Sequence, residues 1–256
     1  MIAVSHLGPI TRLTLQNGAK LNPLSSDMLQ ALTDAVEAFA LSPARVLVIA
    51  AEGRAFCAGH DLREIQGFRA DPDGGQARMT ALFTQCSALM TRIATLPKPV
   101  IAEVQGMATA AGCQLAASCD FVVASDHARF GVNGINIGLF CSTPIVALSR
   151  KLPPSVAYEL AATGDFLDAP RAMALGLVTR IAPPEALTAM TMDLAAKLAS
   201  KLPSALAIGK QVFAAQNGLP LDQAYAAATP LMVENLMSPD TNEGLQAFLE
   251  KRPPRW

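Results

Sequence analysis

The organisation of the 256-residue chain changes after residue 182, and this change constrains the fold more than any other feature of the sequence. Before that point, short runs of β-forming residues alternate with stretches that carry apolar residues at helical spacing. The predicted strands are 10–15, 45–50, 99–104, 120–125 and 176–182. The predicted helices are 25–40, 77–94, 106–117, 155–163 and 169–175. This alternation predicts an α/β body.

After residue 182 the sequence predicts helices alone. They cover residues 183–199, 204–216, 221–237 and 239–251. We therefore expect a β/α body followed by an all-helical tail, with no flexible linker between them.

The composition is that of a chain with a large core. Hydrophobic residues make up 51% of the sequence and charged residues 16%, which argues against disorder. Mean hydropathy is +0.31, yet no apolar run approaches the roughly 20 residues that a membrane helix needs. The apolar excess is rich in alanine and dispersed, so we expect another subunit to cover part of it rather than a membrane.

Charge and thiol content exclude several classes of function. Lys plus Arg is 20 and Asp plus Glu is 21, so a net charge of −1 gives no support for binding nucleic acid. Five cysteines without C-x-x-C spacing and three scattered histidines predict neither a metal site nor a disulfide framework. The first residues, MIAVSHLGPI, lack the basic and apolar segments of a signal peptide, so we expect reduced thiols and a cytoplasmic location.

Two glycine-containing loops are candidate ligand sites. "GRAFCAGHDLREI" (53–65) follows the strand 45–50, and "TAAGCQLAASCD" (109–120) follows the strand 99–104. Both loops therefore leave the carboxyl end of a strand, where ligands of β/α proteins bind. One backbone N–H from each could stabilise an enolate or a tetrahedral oxyanion. Taken separately, each loop is better explained without a ligand, the first as a strand-to-helix turn and the second as a tightly packed helix.

A third segment, 128–144, is rich in Gly and Asn and is predicted to be an ordered loop. It contains the hydroxyl and thiol groups of Cys141, Ser142 and Thr143. No G-x-S-x-G motif or activating base accompanies them. We therefore expect them to cap a helix that begins near Pro144 rather than to act as nucleophiles.

Several segments together resemble the crotonase, or enoyl-CoA hydratase/isomerase, superfamily. They are "RAFCAGHDL", "KPVIAEVQGMATAAGCQLAASCD", "FGVNGINIGLF" and "FLEKRPPRW", in the family's order and spacing over almost the whole chain. "ATAAGCQLAASCD" and "GLFCSTP" are most similar to one subgroup, the enoyl-CoA hydratase domain-containing protein 3 group.

The resemblance implies a crotonase-type spiral of ββα units with a C-terminal helical trimerisation region. We accordingly expect a core with an acyl-CoA site over 1–195 and an oligomerisation region over 196–256, in a homotrimer or homohexamer. The implied ligand is an acyl-CoA thioester of fatty acid metabolism. Coenzyme A enters as part of that substrate, and no permanently bound cofactor or metal is implied.

The resemblance also assigns residues to the ligand. The two oxyanion-hole N–H groups fall on His60 and Ala111. The coenzyme's adenine would meet the backbone around Ala58, Asp61 and Leu62, and its phosphates Arg54 and Arg63. Phe248 and Lys251 match a C-terminal pair that reaches a neighbouring subunit's coenzyme.

The chain departs from the family at its two catalytic glutamates. Their positions are occupied by Gln114 and Gly134. An amide does not exchange a proton near neutral pH and glycine has no side chain, so we expect ordinary hydration to be severely reduced.

Other groups near the motifs are candidate replacements. Asn133 and Asn136 could hydrogen-bond the acyl group. A neutral His60 side chain could act as a base, but a ring that only lines the pocket is the favoured interpretation. The nearest other acids in these segments are Glu64 and Glu103. The sequence does not place either of them in the pocket.

Three classes of function follow. The first is an enoyl-CoA hydratase/isomerase-like enzyme that works through a thioester enolate, in the lyase class by resemblance. The second is a non-catalytic acyl-CoA-binding protein with the same fold. The third is a hydrolase using Ser142 and His127, which the missing Ser/His/Asp pattern disfavours.

Overall fold

The computed structural model describes residues 1–255 of the chain, which form ten strands and eleven α-helices. The strands are β1 Ile2–Leu7, β2 Ile10–Leu15, β3 Val46–Ala51, β4 Ala55–Cys57, β5 Val100–Val104, β6 Met107–Thr109, β7 Phe121–Ser125, β8 Arg129–Gly131, β9 Phe166–Asp168 and β10 Arg180–Ala182. The α-helices are α1 Ser26–Leu41, α2 Leu62–Phe68, α3 Gln76–Thr95, α4 Ala111–Ser118, α5 Ser142–Leu148, α6 Pro154–Thr163, α7 Ala169–Ala174, α8 Leu187–Ala199, α9 Pro203–Gln216, α10 Leu221–Leu236 and α11 Pro239–Leu249.

The strands form two sheets. The larger has the order β1-β2-β3-β5-β7-β10, and the smaller has the order β4-β6-β8-β9. Strand β1 is antiparallel to β2, and β9 is antiparallel to β8. The other pairings in both sheets are parallel.

The chain repeats one unit three times. A strand enters the six-stranded sheet, the next strand enters the four-stranded sheet, and a helix follows: β3-β4-α2, β5-β6-α4 and β7-β8-α5. Because each repeat adds one strand to each sheet, the units stack side by side as a spiral. The predicted α/β fold with ββα units is confirmed.

The central strands of the six-stranded sheet, β3, β5 and β7, are buried on both faces. On β3, Leu47 and Ile49 face the main core, whereas Val46 and Val48 face a second cluster that includes Leu194 of α8. Alternate residues of a strand point to opposite faces, so an unbroken apolar run such as "VLVIA" fits a strand covered on both sides.

The C-terminal helices are far less buried. Helices α9 and α10 contain no buried residue, and Ala247 is the buried residue of α11. Large apolar side chains on these helices are exposed, among them Phe213, Tyr225, Met237 and Phe248. The strand-free tail is confirmed for the described residues. The predicted core–tail boundary at 195 falls within α8.

The prediction of one helix over 106–117 is wrong. Residues 107–109 form β6, which pairs with β4 and β8, and α4 begins only at Ala111. Between them, Ala110 has φ 50°, outside the helical region. Pairing with two neighbouring strands overrides the local preference of these small residues for a helix.

The predicted cap of the helix near Pro144 is also wrong. Helix α5 already begins at Ser142, and its N-cap is Cys141, whose side chain makes no capping bond. Within residues 1–255, no helix is both long and apolar enough to cross a membrane.

Candidate active site

Three segments that follow or overlap strands of the smaller sheet enclose a cavity of about 520 Å³. They are residues 58–62 after β4, 107–111 at β6 and the start of α4, and 133–144 after β8. Ile65 and Phe83, from α2 and α3, complete the wall. The three segments that the sequence singled out are therefore brought together at one edge of one sheet.

A glycine lets the first two segments touch. Gly59 has φ 89°, and a Cβ built on it would lie 2.9 Å from the Cβ of Ala110 and 3.3 Å from the backbone N of Ala111. Such distances leave no room for a side chain, and the positive φ would strain one further. The close approach of the two loops depends on glycine at this position.

The backbone N–H groups of His60 and Ala111 sit on fixed peptides. Leu24 N donates to Gly59 O at 2.7 Å, so the His60 N–H of that trans peptide points to the side opposite Leu24. Ala110 O accepts from Gln114 N at 3.0 Å in the first turn of α4. Among residues 1–255, neither the His60 nor the Ala111 N–H donates a hydrogen bond, and both residues line the cavity.

The imidazole of His60 is held in one orientation. Its Nδ1 lies 3.1 Å from Leu24 O, and a carbonyl can only accept, so Nδ1 carries the hydrogen and Nε2 presents a lone pair. The ring also packs edge-on against Phe83, with centroids 4.8 Å apart. Burial lowers the pKa of His60, and the Leu24 carbonyl and the charge of Glu64 oppose this. His60 Nε2 is buried and has no hydrogen-bond partner within the described residues.

Gln114 lies on α4, one turn after Ala111, and is 3% exposed. It is not one of the residues that line the cavity. Its side-chain Oε1 is buried and accepts no hydrogen bond from residues 1–255. A buried acceptor left in this state costs about 1–3 kcal/mol.

Gly134 lies in a 3-10 helix over Asn133–Ile137 and does line the cavity. A Cβ at this position would lie 2.5 Å from Leu139 O and 2.8 Å from Cys141 Sγ. Leu139 N donates to Gly134 O at 3.0 Å, which holds the chain in this fold-back. The space that a side chain at 134 would need is therefore filled by the loop itself.

Two asparagines contribute side chains to the wall, Asn133 and Asn136. Thr109 Oγ1 donates to Asn133 Oδ1 at 2.7 Å, which orients that amide and leaves its Nδ2 as a donor. Neither Thr109 nor Phe83 was predicted from the sequence as a site residue, because each acts through a contact with a distant segment.

No carboxylate of the described residues lines the cavity. Glu64 accepts from Ser26 N at 3.1 and 3.3 Å, and so caps α1. Glu103 is buried in an ion pair with Arg12 at 2.7 Å. Among the described residues that line the cavity, the ionisable side chains are those of His60 and Cys141. Burial raises the pKa of the Cys141 thiol.

The residues predicted to hold coenzyme A fall into two groups. Ala58 and Leu62 line the cavity, and Asp61 caps α2 by accepting from Arg63 N at 2.9 Å. The side chains of Arg54 and Arg63 are exposed, and neither forms an ion pair within residues 1–255.

The C-terminal pair lies elsewhere. Phe248 is 80% exposed on α11, Lys251 follows that helix with φ 55°, and neither lines the cavity of its own chain. His127 is exposed and is likewise absent from the wall that contains Ser142.

Comparison with known proteins agrees with this architecture. Residues 7–256 match the model of a protein family described as enoyl-CoA hydratase/isomerase. Enoyl-CoA hydratase domain-containing protein 3, mitochondrial, of Xenopus laevis is 44% identical over 248 residues, covering 96% of this chain and 83% of that protein.

Two solved structures are similar over the whole chain. An enoyl-CoA hydratase of Mycobacterium smegmatis superposes with a TM-score of 0.94 at 45% identity, covering 100% of this chain and 98% of the other. Human enoyl Coenzyme A hydratase domain-containing protein 3 gives 0.93 at 41% identity, with coverage of 100% and 99%.

Proposed function

The chain belongs to the enoyl-CoA hydratase/isomerase family, and we propose that it binds acyl-CoA thioesters in the cavity and stabilises their enolates. The thioester oxygen would accept from the N–H groups of His60 and Ala111. The observation that carries this proposal is the close approach of the two loops. Both residues line the same cavity, and within residues 1–255 neither of their N–H groups donates a hydrogen bond. Fixed donors of this kind stabilise a developing oxyanion without reorganisation.

Coenzyme A would enter as part of the substrate, along the first loop. Ala58, Asp61 and Leu62 offer backbone to the adenine in this arrangement. Arg54 and Arg63 are exposed on either side and could meet the phosphates, which guanidinium groups bind well.

Ordinary hydration should be weak at this site. It needs an acid and a base to activate water, and the cavity wall contains no carboxylate within the described residues. Loss of general acid–base catalysis typically lowers a rate by about 10² to 10⁴-fold. Enolate formation needs no carboxylate pair, which favours isomerase-like chemistry over hydratase chemistry.

We further propose that the protein works as a homotrimer or homohexamer. The exposed apolar side chains of α9 to α11 would be covered by neighbouring subunits, as obligate interfaces are. Phe248 and Lys251, which lie outside the cavity of their own chain, would then reach the coenzyme of a neighbour.

The proposed role belongs to fatty acid metabolism, since the ligand is an acyl thioester. The names of the Xenopus and human relatives describe them as mitochondrial. This stands against the cytoplasmic location expected from the N-terminus, which remains a prediction only.

The alternative is a non-catalytic acyl-CoA-binding protein. One observation favours it: there is no space for a side chain at Gly134. A simple substitution at this position therefore cannot supply the second glutamate. Both functions require thioester binding, and only turnover separates them.

The test is calorimetric titration with crotonyl-CoA, hexanoyl-CoA and free coenzyme A, followed by hydration assays on the enoyl esters. We expect the esters to bind more tightly than free coenzyme A and hydration to be slow. Absence of binding by every ester would overturn the proposal. Rapid hydration of crotonyl-CoA that survives Gln114→Ala would refute the account of the missing acid–base pair.

A matched pair of variants tests the oxyanion site. Gly59→Ala should weaken ester binding at least about tenfold, because the new methyl group separates the two loops. Gly67→Ala, on α2, meets nothing within 4 Å and should bind as wild type does. Equal binding by both variants would show that the contact of the loops is irrelevant to the ligand.

A further inference from the structure

We propose that the imidazole of His60 is the catalytic base of this site, removing a proton from the α-carbon of the bound thioester. This inference rests on the proposed function, because it requires a thioester held by the two backbone N–H groups. It goes beyond that function by assigning the proton transfer to one side chain and by selecting a reaction that needs only one base.

The first support is the inventory of the cavity wall. Its ionisable side chains, in the described part of the chain, are His60 and Cys141. Burial raises the pKa of the Cys141 thiol, so the thiol remains protonated and is a poor base. The nearby acids Glu64 and Glu103 are already engaged with Ser26 and Arg12. His60 is the base that remains.

The second support is the fixed tautomer of the ring. The bond from Nδ1 to Leu24 O makes Nε2 the proton acceptor, and the edge-on contact with Phe83 limits rotation of the ring. Nε2 is one of three buried side-chain polar atoms of residues 1–255 that have no hydrogen-bond partner. The ring is oriented and its lone pair is unused, so Nε2 is the atom of this wall that can take up a proton once a bound ligand reaches it.

The third support is that burial keeps the ring neutral. Desolvation lowers the pKa of His60 by more than the Leu24 carbonyl and the Glu64 carboxylate raise it. Phe83, which packs against the ring from α3, is uncharged. At neutral pH the side chain is therefore in the form that accepts a proton.

The chemistry balances with one base. The Cα–H bond breaks, its electron pair moves to the thioester oxygen, and the proton passes to His60 Nε2. In a 3-enoyl thioester, return of the same proton to Cγ moves the double bond to Cα–Cβ. In a saturated thioester, return of a solvent-exchanged proton to Cα regenerates the substrate. Neither process consumes water, an oxidant or a second acid.

The test compares proton exchange with binding. Wild type, His60→Gln and His127→Gln are incubated with hexanoyl-CoA in heavy water, and deuterium at the α-carbon is followed by mass spectrometry. Isomerisation of 3-hexenoyl-CoA is measured in parallel, and binding of hexanoyl-CoA by calorimetry. Gln keeps the backbone N–H and a donor for Leu24 O but cannot accept the proton. His127 is exposed, so its variant is the control.

We expect His60→Gln to lose both exchange and isomerisation by about 10²-fold or more, with its affinity for hexanoyl-CoA unchanged within about threefold. His127→Gln should match wild type. Undiminished exchange in His60→Gln would overturn the assignment and leave thioester binding intact. Wild type that binds without exchange would overturn proton transfer at this site. Failure of wild type to bind would instead overturn the proposed function itself.

A second variant guards against loss of structure in the first. His60→Ala leaves a space the size of the ring, and added imidazole should restore exchange in a concentration-dependent manner. Restoration would assign the lost activity to the missing base. If imidazole binds the variant, detected by its effect on thermal stability, and no exchange returns, the ring has only a structural role and the proposal is wrong.

Discussion

The resemblance to hydratases implies a glutamate at positions 114 and 134, and the two positions that lack it differ in their surroundings. At 114 an amide of nearly the same shape stands on a regular helix, buried within α4. At 134 the side chain is gone, and Leu139 and Cys141 occupy the space where its Cβ would be. The helical position therefore differs from the implied glutamate in chemistry alone, whereas the loop position also lacks the space for a side chain.

The difference determines what a single substitution can restore. A carboxylate at 114 needs only one atom changed, within a backbone that already suits it. A carboxylate at 134 needs the segment 134–141 to refold, because the obstruction includes backbone. Restoring both glutamates together therefore should not simply recreate a hydratase.

The largest expected effect comes from Gly134→Glu. Forcing a side chain against Leu139 O and Cys141 Sγ should lower the free energy of unfolding by about 3 kcal/mol. Gly67→Glu, on α2 where a Cβ meets nothing within 4 Å, is the control and should be neutral or slightly stabilising. Urea unfolding at fixed protein concentration measures both. Equal stability of the two variants would mean that the loop yields easily, and the contrast between 114 and 134 would disappear.

Gln114→Glu should have a smaller effect that depends on pH. The new carboxyl would be buried where the glutamine oxygen has no hydrogen-bond partner within the described residues, so its folded pKa would lie above its unfolded value. The unfolding free energy should fall by about 2 kcal/mol at neutral pH, and this deficit should shrink as the pH drops toward the unfolded pKa. Gln114→Leu removes the unsatisfied oxygen and should cost less. A pH-independent deficit in Gln114→Glu would contradict this account.

A pair of glycine substitutions tests whether the backbone turn before α4 is strained. Ala110 has φ 50°, so Ala110→Gly removes strain of about 1–2 kcal/mol and should be neutral or stabilising despite the greater chain entropy. Ala111 is the first residue of α4, so Ala111→Gly should cost up to about 1 kcal/mol. Thermal unfolding of both variants gives the signs. Identical signs would show that the turn before α4 is not strained.

The smallest expected effect concerns His60, which lines the cavity. Because burial lowers the folded pKa of His60, its contribution to stability is complete above the unfolded value near 6.5 and is lost as pH falls. The Glu64 charge and the Leu24 carbonyl reduce this loss without reversing it. Wild type should therefore lose more Tm than His60→Gln between about pH 7.5 and pH 5.5. His127→Gln should follow wild type.

Most of the long elements were predicted from the sequence because their patterns are local, although the six-residue strand β1 was missed. The apolar run of β3 and the helical spacing of α1 and α3 need no information from elsewhere. The three-residue strands β4, β6 and β8 were missed, since three residues show no periodicity and exist as strands only through pairing with each other. These pairings join segments that lie up to about fifty residues apart in the sequence, so the strands leave no local signal.

Predictions for the site show the same difference between local patterns and contacts of distant segments. Motif order located the two loops and the altered positions 114 and 134. It did not reveal that Leu24 fixes the ring of His60 or that Leu139 fills the space beside Gly134. It also did not reveal that the Gln114 side chain is buried with an oxygen that has no hydrogen-bond partner within the described residues. These properties depend on how distant segments meet, which the spacing of a motif does not specify.

The contact between Gly59 and Ala110 has a consequence for descent. The two N–H groups beside it are positioned by main-chain bonds from Leu24 and within α4, so replacing side chains around the cavity leaves them where they are. Reactive side chains around the cavity can therefore be lost and replaced during evolution while the two N–H groups of the proposed thioester site stay in place. A glycine that no reaction uses would then be the residue that natural selection can least afford to vary.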